Sequence, residues 1–132
     1  MNKTEYIIDI LSPVQLVSLA NEFSGLGATY FTLYLTLVSG YLITAFLAGS
    51  RLTKPQVTTI NAIFIISAVF FTLSTLGNFV LSVGFYMAAP WREAARLEFL
   101  FMGIYDIFMA LAMLAGIFAS LKFMKDIRRS EP

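Results

Sequence analysis

The sequence predicts an all-α integral membrane protein, a three-transmembrane-helix bundle preceded by an N-terminal amphipathic interfacial helix. Three observations predict it. Of the residues, 58% are hydrophobic and 13% are charged, against roughly 25% charged in a soluble domain. The apolar residues fall in long runs, over 25–49, 57–88 and 98–123, each longer than the roughly 18 residues that suffice to cross a bilayer. The stretches between these runs hold Arg51, Lys54, Arg92, Glu93 and Arg96 and two of the prolines, Pro55 and Pro90, which suit the first turn of a following helix.

The segment 1–24 is too polar to span. Lys3, Glu5, Asp9, Asn21 and Glu22 interrupt its apolar residues. Asp9 also sits where a signal sequence would need an unbroken apolar stretch. Ser12 can cap a helix, Pro13 suits its first position, and Gln15 completes a capping box. On that helix Gln15, Ser18, Asn21 and Glu22 gather on one side, and Leu16, Leu19, Ala20 and Phe23 on another. The pattern fits a helix lying in the membrane interface, or one docked on the protein's own bundle.

The transmembrane domain then occupies 25–129, with 130–132 as the C-terminal end. The first span, 25–49, has no charge, and Thr32, Thr36, Gly40, Thr44 and Ala48 recur every four residues along one face. Small residues let another helix approach closely. Packing within the chain is the expected use of this stripe, and a pore lining or self-association is the alternative. Arg51 and Lys54 charge the first loop.

The second span, 57–88, is about 32 residues, or roughly 48 Å, against a hydrocarbon core of about 30 Å. It must tilt or extend beyond the core. Ser74, Asn78 and Ser82 share one of its faces. After it, Pro90 is expected to open the third helix, with Tyr86 and Trp91 at headgroup level.

The third span, 98–123, is rich in Gly and Ala, and it contains Asp106. The helix is expected to run on through Lys122, Lys125, Arg128 and Arg129. These four suit anionic lipid headgroups, or form a solvated basic tail.

Basic residues favour the cytoplasmic side. The first loop and the C-terminal end hold Arg51, Lys54, Lys122, Lys125, Arg128 and Arg129, whereas the other side holds Lys3, Arg92 and Arg96. The expected topology has the N-terminus outside and the C-terminus in the cytoplasm. The compact chain suggests the bacterial inner membrane.

The chain has no Cys and no His. This excludes disulfides, thiolate nucleophiles and a Ser-His-Asp triad, and it removes the best ligands for zinc and copper. Glu93 and Glu98 are five positions apart and do not share a helix face. The expectation is therefore a non-enzymatic protein with no catalytic residues, metal site or cofactor. No basic, aromatic-interleaved surface points to nucleic acid.

Asp106 carries the functional expectation. A carboxylate inside hydrocarbon is costly, and it calls for a partner, a wet cavity or a proton. Counting depth from the outer helix ends puts Asn78 and Tyr34 in its layer. Three roles follow: a pin bonded to Asn78 or Tyr34, an ion or proton site facing a cavity or an oligomer axis, or a contact to a basic residue of another protein. The expected function is a small accessory or assembly subunit that works through helix packing in the bilayer, with itself or in a larger membrane complex. The runner-up is a homo-oligomeric channel or proton/ion pathway lined by Thr32, Thr36, Gly40 and Thr44, or by Ser74, Asn78 and Ser82.

Overall fold

A computed structural model of the chain describes residues 11–88 and 96–129, except the side chains of 96–101. These residues form three helices, α1 (Pro13–Ala48), α2 (Lys54–Ala88) and α3 (Arg96–Arg129). They contain 36, 35 and 34 residues, so each is on the order of 50 Å long. Each includes a stretch long and apolar enough to cross a membrane.

The capping box forms where the sequence places it. The Gln15 N–H donates to Ser12 Oγ at 3.4 Å, and the Ser12 N–H donates to Gln15 Oε1 at 2.8 Å. A separate interfacial helix does not form from the described residues. Residues 13–24 continue without a break into the first span as one helix, and residues 1–10 lie outside the described residues. Gly25 and Gly27 fall at the expected boundary. Each costs a helix only about 1 kcal/mol, too little to end one held by packing on both sides. Polarity changes at residue 24; the backbone does not.

Helix α1 ends at Gly49, whose N–H donates to the Ala45 carbonyl at 2.9 Å. Helix α2 then begins at Lys54, with Pro55 in its first turn as expected, three residues ahead of the apolar span that opens at Val57. Thr53 supports this start by donating its N–H and its hydroxyl to Gln56 Oε1, at 2.9 and 3.0 Å. The expected helix opening at Pro90, with Trp91 beside it, lies outside the described residues. As expected, α3 runs on through the basic end to Arg129.

Helices α1 and α2 form an antiparallel pair with the most extensive interface in the bundle. Buried positions recur every seven residues at Gly27, Tyr34 and Tyr41 on α1, and on α2 from Val57 to Phe64 and again from Thr75 to Ser82. That repeat keeps one seam facing its partner over many turns. Tyr41 stacks on Phe64 with ring centroids 4.0 Å apart, and Phe23 stacks on Phe85 at 5.5 Å. Between them, a Cβ on Gly27 would sit 3.2 Å from the Phe79 ring. A side chain there would press on the Phe79 ring, so glycine suits the close approach of the two helices.

Helix α3 adds Met109, Met113, Ile117, Ser120 and Met124 as its buried seam. Its contact with the other two helices is sparser, and cavities of about 520 and 640 Å³ lie along its border with α1. The outside of the bundle is greasy. Phe46, Ile66, Phe108 and Phe118 are each 71–73% exposed, far more apolar surface than a water-soluble monomer leaves open. Lipid is the solvent that suits it.

Candidate functional site around Asp106

At the end of the bundle opposite Lys125, Arg128 and Arg129, the three helices part around a cavity of about 690 Å³. Ser24 of α1, Phe79 and Tyr86 of α2, and Tyr105 and Asp106 of α3 are among its walls. Asp106 is half-buried. Among the described residues, nothing donates a hydrogen bond or offers a cation to its carboxylate.

The nearby polar groups are largely occupied. Ser82 Oγ donates to the Ala20 carbonyl at 2.8 Å, and Tyr86 Oη donates to Asn21 Oδ1 at 2.5 Å. These two bonds tie the top of α1 to the top of α2. They also explain why residues 13–24 dock on the chain's own bundle: Leu16 and Ala20 are buried there, and Asn21 spends its side chain on Tyr86. The α1 and α2 walls are thus tied to each other, while the acid on α3 has no hydrogen-bond partner among the described residues.

The expected layer of Asp106, Asn78 and Tyr34 does not come together through direct hydrogen bonds. Asn78 Nδ2 donates to the Ser74 carbonyl on its own helix at 2.7 Å. Tyr34 Oη donates to the Met113 carbonyl at 2.5 Å, two turns further along α3. The residue of α1 that lines the Asp106 cavity is Ser24, about 15 Å along the helix from Tyr34.

The two polar stripes differ in fate. Thr32, Thr36, Gly40 and Thr44 are all exposed on the outside of the bundle, so packing within the chain does not use them. Their hydroxyls bond the carbonyls four residues back: Thr32 to Ala28, Thr36 to Thr32 and Thr44 to Gly40. A Cβ on Gly40 would meet nothing within 4 Å. The other stripe turns inward, with Ser82 buried and Ser74 and Asn78 half-buried. Among the basic residues, Lys125, Arg128 and Arg129 line one cleft at the opposite end of the bundle, and Lys122 is exposed outside it.

Sequence reasoning missed Asn21, Tyr86 and Ser24 as neighbours of the Asp106 cavity. Their signal was present in the polar positions of 13–24, once those residues are read as the outer continuation of α1. Comparison with protein-family models, with curated proteins and with solved structures finds no match for the chain.

Proposed function

We propose that this chain is a small non-enzymatic membrane subunit whose partner supplies the missing contact to Asp106. The observation that carries the proposal is a carboxylate on a membrane-compatible helix, half-buried at an open cavity, with no donor or cation from the described part of its own chain. An intramembrane acid is tolerated when something pairs with it, and an arginine or lysine from a neighbouring chain meets that need. The exposed stripe of Thr32, Thr36, Gly40 and Thr44 supports docking as well, because it offers a close-approach surface that the chain's own helices leave unused.

The same reading places the protein in the bacterial inner membrane with its basic end cytoplasmic. If Lys54 and Lys125 mark the inner headgroup level, Asp106 lies about 29 Å along α3, at the outer edge of a hydrocarbon core of about 30 Å. A partner's basic side chain reaches that depth by snorkelling.

A pore would have to form between copies. The seams inside one bundle are filled by Phe64, Met113, Met124 and Thr75, and the threonine hydroxyls of the outer stripe already bond their own helix. Photocrosslinking from position 105, at the cavity wall, tests the docking role in intact membranes. The expected result is a crosslink to a different protein that Asp106→Asn weakens and Asp106→Glu retains. Crosslinks only to lipid or to the chain itself, unchanged in Asp106→Asn, would contradict it.

A further inference from the structure

The far end of the bundle carries a second cavity, of about 530 Å³, between the first turns of α2 and the last turns of α3. Its polarity is graded along the helix axes. Arg128 and Arg129 stand at its outer end, with Lys125 one turn inward. Leu121 and Ile65 line its end toward the middle of the bundle. The run from Arg129 to Leu121 is about 12 Å, the scale of a headgroup followed by the start of an acyl chain.

One polar group is set into the apolar wall. Tyr41 Oη donates to Asn61 Oδ1 at 2.7 Å, which engages the amide oxygen, and among the described residues the Nδ2 hydrogens, the donors a ligand oxygen would use, have no partner. Asn61 lines the cleft one turn in from Val57, between the cations and Ile65. That is where the ester oxygens of a glycerolipid would lie. Asp126 is on the same turns of α3 but is not among the lining residues.

We infer that this cleft is a binding site for one anionic glycerophospholipid. Its phosphate sits among Lys125, Arg128 and Arg129, its ester region at Asn61, and one acyl chain runs along Ile65 and Leu121. Free phosphate could satisfy the cations alone; the graded wall and the apolar floor favour the lipid. The inference is independent of any partner at Asp106.

Native mass spectrometry of the full chain in detergent tests it, with phosphatidylglycerol, phosphatidylcholine and inorganic phosphate as probes. Phosphatidylglycerol is expected to bind more tightly than phosphatidylcholine. Lys125→Gln and Arg128→Gln should each weaken it by about fivefold. Lys54→Gln and Lys122→Gln remove the same charge at the same end but outside the cleft, and they should leave binding unchanged. Leu121→Trp, which fills the floor and keeps every charge, should also lower lipid retention. Equal weakening by all four charge variants would reduce the effect to diffuse attraction and overturn the site. So would equal binding of the two lipids. Inorganic phosphate that competes as well as the lipid itself would replace a lipid site by a phosphate site.

Discussion

The Tyr34 hydroxyl reaches across from α1 to the Met113 carbonyl of α3, 2.5 Å away, and passes directly over Gly116. A Cβ at position 116 would lie 2.5 Å from Tyr34 Oη but 3.6 Å from the ring carbon that bears it. The hydroxyl and the missing side chain are therefore coupled. Gly116→Ala should destabilise the bundle by about 1–3 kcal/mol, as overpacking does, and Tyr34→Phe by about 1 kcal/mol for the lost hydrogen bond. The double variant should cost no more than Tyr34→Phe alone, because the clashing atom is gone. Denaturant unfolding in detergent micelles measures all three.

Gly27 and Gly40 lie on the same helix but face different surroundings. Gly27→Leu should disrupt the α1–α2 pair, because even a Cβ presses on the Phe79 ring at 3.2 Å. Gly40→Leu should leave the isolated chain at least as stable, since nothing lies within 4 Å and leaving glycine gains up to about 1 kcal/mol of helix propensity. The docking role adds a contrast. Gly40→Leu should reduce association in membranes while its melting curve stays at or above wild type.

Thr75 is fully buried, and its hydroxyl has no hydrogen-bond partner among the described residues. An unsatisfied buried hydroxyl costs about 1–3 kcal/mol. Thr75→Val keeps the shape and removes the polar atom, so it should stabilise the bundle by about 1 kcal/mol or more. A loss of stability would mean that the hydroxyl bonds something in the folded protein.

Tyr41 joins two interactions, the stack on Phe64 and the bond to Asn61. Tyr41→Phe should cost about 1 kcal/mol for the bond. Tyr41→Ala should cost about 3–5 kcal/mol, because it also opens a cavity in the α1–α2 seam. Thermal unfolding of the two variants, monitored by the helical circular dichroism signal, separates these terms.

The spans were legible because the absence of charge over 25–49 and 57–88 is a statement about solvent, and membrane solvent dictates helices. The start of α1 was legible because Ser12, Pro13 and Gln15 act locally. The join at residue 24 was not. The polar residues Asn21 and Glu22 suggest a change of surroundings, and a helix can cross that change without stopping. The neighbours of Asp106 were not legible for a related reason. Counting from Gly25 misjudges the depth of Tyr34, since α1 begins at Pro13 and its outer part packs on α2. Asn78 is near the right level, beside Phe79, but its amide bonds Ser74 on its own helix. Counting gives depth only where the helix ends are known, and the direction a side chain takes is set by packing with other helices.

The most direct test of the docking role is the mass and composition of the native particle, extracted in detergent or nanodiscs, for wild type and Asp106→Asn. The chain itself weighs 14.7 kDa. A heavier wild-type particle containing at least one different chain, which Asp106→Asn loosens, is the predicted result. A wild-type particle that is only this chain, whether a monomer or a closed ring of identical copies, would contradict it.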